Sequence, residues 1–352
     1  MTILLNYRPV LRQPTGIGIY ANAILPTLQQ LPHVLVAGGE VGTARQRLTR
    51  LAWTQLCLPK LARRSQASLI FTPAPEGYLG VQRIPQVVMV HDLRPMSHPE
   101  LSLQSVYFRA WVPALLRACL HVLTNSHYTA REIMRCTGLP EHRCTVIPLG
   151  YDSSLFKPAE LLSIPSKDPY LLHVGQAYPH KNLRRLIQAF ARIAPRHPEV
   201  RLVLVGKPHP TETPQLQALV DQLAVHRQVE FRSYVSSAAL PDLYRGALGL
   251  VFPSLWEGFG LPVLEAFACG TPVITSLGSG TEELAGTAAL LVDPIQDLQI
   301  SEAMEALIVQ PSLRAALSNA GLERATSYRW QTCCSAHRTF FEGIGQASRT
   351  TR

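Results

Sequence analysis

Leu250–Ser276 reads L-V-F-P-S-L-W-E-G-F-G-L-P-V-L-E-A-F-A-C-G-T-P-V-I-T-S. The apolar run Ala247–Phe252 is long enough for one buried strand, and Pro253 stops it. The loop that follows sets Glu257 between bulky apolar residues and two glycines, Gly258 and Gly260. Pro262 sits where a helix accepts proline, in its first turn. Leu261, Leu264 and Ala268, with Val263 and Phe267, make apolar faces at helical spacing. Gly270 and Pro272 end that helix, and a second strand, Pro272–Thr275, follows. The unit is strand, glycine loop, helix, strand.

Two carboxylates stand out in it. Glu265 lies about one turn into the helix, where the macrodipole alone favours an acid. Glu257 has no helical reason to be there, and Trp256 and Phe259 tend to bury it. The glycines free backbone N–H groups at a helix N-terminus, which suits an anion. Phosphate for the N–H groups and hydroxyls for the carboxylates together describe a sugar nucleotide. Glu257-x7-Glu265, in the setting S-x-W-E-G-F-G-L-P-x-L-E-A-x-A-x-G-T-P-V-I, resembles the signature of retaining glycosyltransferases of family 4. The match is long and gapless. It implies the α/β GT-B fold: two Rossmann-like parallel-sheet domains facing across a cleft, with a C-terminal helix crossing back to the first domain.

Length and composition agree with that reading. A chain of 352 residues favours two domains, and 47% hydrophobic with 16% charged residues excludes a disordered protein. A net charge of +9 admits nucleic acid, an anionic membrane surface or anionic ligands as partners. Nucleic acid is disfavoured, because there is no recognition helix, arginine-rich arm or interleaving of aromatic with basic residues. The clusters Arg45–Arg50 and Lys60–Arg64 fit a solvated face as well as peripheral contact with an anionic membrane. Seven cysteines without a C-x-x-C read as a reduced cytoplasmic protein with no disulfide framework. The N-terminus begins as a strand and lacks a signal peptide's layout, and no apolar run is long enough to span a bilayer.

In the first half, Thr2–Asn6 is a strand. Thr15-Gly16-Ile17-Gly18-Ile19-Tyr20 opens a helix after a polar loop, the layout of a phosphate cradle. The pattern lacks the third glycine of a dinucleotide site and the lysine of a P-loop. The resemblance implies that Gly16 and Gly18 face the donor's phosphates. The strand Gln86–Val90 runs into His91-Asp92, at the carboxyl end of a strand, where α/β sheets collect ligands. Such a pair can simply order a loop. The resemblance implies more: His91 near the donor sugar and departing phosphate, Asp92 orienting the loop or an acceptor hydroxyl. Asn125-Ser126 caps a helix over Tyr128–Cys136 and resembles the family's element at the cleft edge. Pro99–Leu120 has a long helical pattern. Pro148–Asp152 resembles the turn leading out of the first domain, and Ala159–Pro169 reads as the linker. The expected domains are 1–160 on the acceptor side, 161–330 for the donor, and a last helix over 331–352.

In the second half, Tyr170–Val174 is a strand ending at Gly175, and His180-Lys181-Asn182 precedes a helix over Leu183–Ile193. This resembles the family's K-N element, whose lysine pairs with the donor diphosphate. Gln176 and His180 stand where many members carry arginine, and His180 supplies a positive charge only when protonated. Main-chain groups near Tyr234-Val235 are implied to hold the base. Glu257 is implied to contact the transferred sugar's hydroxyls, Glu265 the nucleotide ribose, and Gly258, Phe259, Gly260 and Leu261 the sugar and phosphates. Cations and aimed N–H groups stabilise a departing diphosphate. There is no Asp-x-Asp in the chain, so no metal or other cofactor is expected. The departing phosphate can take the acceptor's proton.

The K-N-L and S-L-W-E-G-F-G-L-P versions resemble bacterial mannosyltransferases of surface-polysaccharide assembly, which implies GDP-mannose and a glycan or lipid-linked acceptor. A UDP-sugar-dependent transferase of the same fold is the alternative. An NAD-dependent oxidoreductase would need G-x-G-x-x-G directly after a strand, with an acidic residue about 20 positions on, and the first half lacks it. A glycosidase would explain two carboxylates but not the phosphate-binding loops.

Overall fold

The computed structural model describes residues 1–10, 16–37, 46–80, 83–93, 96, 108–159, 168–233 and 235–350. The chain forms two compact units, Met1–Leu149 with Trp330–Arg352, and Gly150–Arg329. The boundary therefore falls ahead of the 160 read from the sequence. Most of the expected linker, 160–167, lies outside the described residues.

The sheet of the first unit holds β1 (Ile3–Asn6), β2 (Val34–Ala37), β3 (Leu69–Thr72), β4 (Gln86–Val90), β5 (His121–Thr124) and β6 (Cys144–Val146). All are parallel, in the order β2-β1-β3-β4-β5-β6. Parallel strands are covered on both faces, which is why β1, β3 and β4 are apolar or buried throughout rather than alternating. Val88, Val90, Leu115, Val122 and Ile133 pack into one cluster, Leu4, Leu58, Ala62 and Ile70 into another. The last helix, Trp330–Thr350, packs on the helix Gly16–Gln29, and Phe341 meets Phe71 edge-on at 5.0 Å.

The second unit repeats the plan with β7 (Tyr170–Val174), β8 (Arg201–Val205), β9 (Val229–Arg232), β10 (Gly249–Phe252), β11 (Val273–Ser276) and β12 (Leu290–Val292). The order is β12-β11-β10-β7-β8-β9, all parallel. Leu171, Ile187, Phe190, Leu202, Val251, Ile274 and Met304 share its core. The chain builds β7, β8 and β9 outward, then returns to lay β10 on the other flank of β7. The strand order reverses there, and in open α/β sheets ligands collect beyond the carboxyl ends of the strands at such a reversal. The first unit reverses between β1 and β3.

Two local differences from the sequence reading have simple causes. The stretch Thr43–Arg64, helix-like and basic in sequence, has 43–45 outside the described residues and breaks at Cys57 into Gln46–Leu56 and Leu58–Arg64, because Pro59 is accepted only at a helix start. Of the helix read over Pro99–Leu120, residues 97–107 lie outside the described residues and Val112–Ala118 is its described helical end. Among the described residues no helix is long and apolar enough to cross a membrane.

Candidate active site

The loop after β10 is shaped by glycines. Gly260 has φ +102°, a region closed to most L side chains, and a Cβ there would lie 2.5 Å from Thr281 Cγ2. It starts the helix Leu261–Ala268, with Pro262 in the first turn and no side-chain cap. A Cβ on Gly280 would lie 2.2 Å from the Gly258 carbonyl oxygen, and Gly280 N–H donates to the Glu257 carbonyl at 2.9 Å. The backbones of the loops after β10 and β11 therefore touch directly.

The loop after β7 is fastened to the same place. Asn182 adopts a left-handed conformation (φ 60°, ψ 31°), which asparagine tolerates better than most residues. Its Nδ2 donates to the carbonyls of Pro253 at 3.0 Å and Pro294 at 2.7 Å. Leu255 N–H donates to the His180 carbonyl at 2.8 Å. Between these ties Lys181 Nζ donates to Glu257 Oε1 at 2.6 Å, and the ammonium sits 4.7 Å from the centre of the Phe252 ring. The two charged side chains are only 14% and 13% exposed. Removing either member of a pair this dehydrated strands the other charge.

Glu265 lies beyond the helix's first turn, so the macrodipole does not account for it. Tyr244 Oη donates to its Oε2 at 2.8 Å. Half-buried by surface but packed densely, the carboxyl is pushed up to about 7 by desolvation, with the tyrosine hydroxyl pulling the other way. A carboxylate offers about four acceptor positions, so Tyr244 leaves capacity for hydroxyl donors. Phe259 is buried edge-on to Tyr328 at 5.9 Å. His180 stacks on Tyr178 at 5.8 Å. Val235 is half-buried, and Tyr234 lies outside the described residues.

The first unit gathers its own set at the carboxyl ends of β3, β4 and β5. His91 Nε2–H donates to the Pro73 carbonyl at 3.0 Å, which in the neutral ring leaves the lone pair on Nδ1. Burial lowers it to about 4, helped by nearby His337. Asn125 Nδ2 donates to the His91 carbonyl at 3.1 Å, while its buried Oδ1 has no partner. Tyr20 meets His91 edge-on at 4.8 Å. Tyr20 lies on the helix whose first turn holds Gly16, exposed, and Gly18, buried. Asp92 is half-buried beside His91.

Thus Lys181 and Glu257 meet in the second unit beside the segment Gly258–Leu261, Glu265 follows on the helix that this segment starts and pairs with Tyr244, and His91 meets Asn125 in the first. Sequence reasoning missed Tyr244, His173, Tyr20 and His337. His173 did leave a signal, a histidine inside the apolar strand Y-L-L-H-V.

Residues 17–155 match the family model of Glycosyltransferase Family 4, and residues 159–324 that of glycosyl transferases group 1. Over 272 residues the chain is 31% identical to O-antigen chain mannosyltransferase B of Escherichia coli, across 74% of this chain and 70% of that protein. The chain is a family 4 glycosyltransferase. It is also 33% identical over 210 residues to O-antigen chain mannosyltransferase RfbU of Salmonella typhimurium, covering 59% of this chain and 57% of that one. It is 31% identical over 231 residues to a D-inositol 3-phosphate glycosyltransferase of Acidothermus cellulolyticus, covering 61% and 51%. The glycosyltransferase thus aligns with little more than half the length of these last two. Sucrose-phosphate synthase of Thermosynechococcus elongatus superposes with a TM-score of 0.81 at 20% identity, over 99% of this chain and 100% of that one. Anabaena HepE, solved with UDP and glucose, gives 0.78 at 20% identity, over 97% and 100%. These structural likenesses establish the GT-B fold.

Proposed function

We propose that the glycosyltransferase moves a hexose from a nucleoside-diphosphate sugar to a glycan or lipid-linked acceptor of surface-polysaccharide assembly, with retention at the anomeric carbon. The observation that carries this reading is the Lys181–Glu257 pair at 2.6 Å, set where the strand order reverses between β7 and β10. One group suits a diphosphate and the other a sugar hydroxyl.

In this reading Lys181 and the N–H groups at the start of Leu261–Ala268 take the diphosphate and stabilise the charge that develops on it as the glycosidic bond breaks. Glu257 accepts from the transferred sugar's hydroxyls. Glu265, its position set by Tyr244, accepts from the ribose. His91 serves the transferred sugar, and the departing phosphate takes the acceptor's proton. Lysine and N–H groups supply the positive charge, so the rate is expected to be unchanged by a chelator. Mannose from GDP-mannose is the favoured donor, supported by the two mannosyltransferase relatives at 31% and 33% identity. Peripheral contact with an anionic membrane is supported by Leu58–Arg64, which exposes Leu61 beside Lys60, Arg63 and Arg64, with Leu56 63% exposed just before it.

A thermal-shift panel with GDP, UDP, ADP and NAD, on wild type and Glu265→Ala, tests the donor. A rise with one nucleoside diphosphate, lost in the variant, supports the reading and selects the base. A rise with NAD alone, or with none, overturns it. The anomeric configuration of the product, read by NMR, tests retention.

A further inference from the structure

β7 and β10 are paired only through Gly249 with Leu171 and Leu250 with Leu172. His173 is the next residue of β7 after those rungs. Its Nδ1 bonds the Val251 carbonyl at 2.9 Å. A carbonyl can only accept, so Nδ1 carries the proton and Nε2 is a bare lone pair. The ring lies flat against Phe252, 5.4 Å between centres and 13° between planes, and is wholly buried. Nε2 has no partner. A buried acceptor left unpaired costs folding free energy, and such exceptions in a folded protein call for a reason.

The surroundings of Nε2 supply one. A side chain placed on Gly175 would meet His173 Nε2 at 3.3 Å and Lys181 Cε and Cδ at 3.6 and 3.8 Å. The bare nitrogen and the lysine stem therefore border the same small space, which a glycine keeps clear. Burial, with the Lys181 charge adding to it, holds the imidazole neutral down to about pH 4. It is therefore an acceptor across the physiological range. An ammonium has three donors, and in this structure Glu257 takes one of them.

We propose that His173 is a positioning residue for Lys181, its Nε2 accepting a hydrogen bond from the ammonium when a nucleoside diphosphate draws Lys181 away from Glu257. One N–H then goes to phosphate and one to His173, which fixes the rotation of the lysine head. Glu257 is released to the sugar. The inference rests on reading Lys181 as the diphosphate group.

Two substitutions separate this role from a merely structural one. The Nδ2 of asparagine takes the place of histidine Nδ1, so His173→Asn keeps the bond to Val251 and loses the Nε2 acceptor. The side-chain oxygen of glutamine reaches the place of Nε2, so His173→Gln keeps an acceptor there. Calorimetry on the full chain, with GDP against guanosine and UDP against uridine, should show His173→Asn binding the preferred diphosphate about tenfold more weakly, with nucleoside affinity unchanged. His173→Gln should bind within about threefold of wild type. In histidine-labelled wild type the Nε2 nitrogen resonance should move upfield when the diphosphate binds. The proposal is overturned if His173→Asn binds the diphosphate as wild type does, if it weakens nucleoside and diphosphate alike, or if the Nε2 resonance does not move. Lys181→Met tests the underlying reading separately: if it leaves diphosphate affinity intact, both fail, and if only it weakens binding, the role of His173 alone fails.

Discussion

Among the described residues two histidines, one in each unit, have no exposed surface, and the two are treated differently. In the first unit His337, on the last helix, donates from Nδ1 to the Cys333 carbonyl at 2.8 Å and accepts from Tyr20 Oη at Nε2 at 2.6 Å. In the second, His173 is satisfied at Nδ1 alone. Burial lowers both to about 4. A histidine with both nitrogens satisfied ties a helix to a domain. One with a bare nitrogen beside a charged side chain leaves a place for something to arrive. The buried histidine of the first unit therefore sits in a closed polar network and that of the second in an open one.

The largest effect expected from attacking the open network is that of Lys181→Met. It removes the cation proposed to hold the diphosphate and strands Glu257, and should lower kcat/KM about a thousandfold. A loss under tenfold in steady-state kinetics would break the contrast. Acid should next treat the two histidines alike. Each is neutral in the folded protein down to about 4 but takes a proton near 6.5 when unfolded. Between those values the unfolded state binds more protons, so stability falls as pH falls. Each contributes of order 3 kcal/mol, lost by pH 4. Denaturant titrations at several pH values should give His337→Asn and His173→Asn equally shallower slopes than wild type.

Glu265 should run the other way. Its folded carboxyl, at about 7 rather than 4.5, keeps a proton that the unfolded chain has released. Its stabilising share is full below 4.5 and lost as pH rises through 7, of order 3 kcal/mol at most. Glu265→Gln should therefore melt higher than wild type at pH 8, with little difference at pH 5, and lose nucleotide binding. Equal melting at pH 8 would contradict the burial described above. The smallest effect is that of Tyr20→Phe. It leaves His337 Nε2 unpaired and should cost about 1–3 kcal/mol in chemical denaturation. Nucleoside-diphosphate affinity should change by less than about threefold, since phenylalanine keeps the ring contact with His91 and loses only the hydroxyl bonded to His337. A weakened affinity would erase the distinction between the two histidines.

Much of this was legible in the chain. The strand, glycine loop, helix and strand around Glu257 lie where the local pattern puts them, within about two residues, because apolar runs, a proline at a helix start and glycine stops are local signals. Glu265 stands out in that unit, and Lys181 in the loop after β7, through motifs that resemble the family's. The partners were not found. Lys181 and Glu257 are 76 positions apart, Tyr244 and Glu265 21, Tyr20 and His337 317. Pairing across such distances depends on which strands become neighbours.

The sequence by itself determined the family, the two-sheet plan and the residues able to bind phosphate and hydroxyls, since each rests on short-range pattern and side-chain chemistry. Only the tertiary structure decided that β10 returns to lie against β7. That placement sets Lys181 on Glu257, puts Tyr244 on Glu265 and leaves His173 Nε2 bare beside the lysine stem. Hydrogen-bond satisfaction and desolvation depend on what surrounds an atom in space, and a position in the chain does not carry that information.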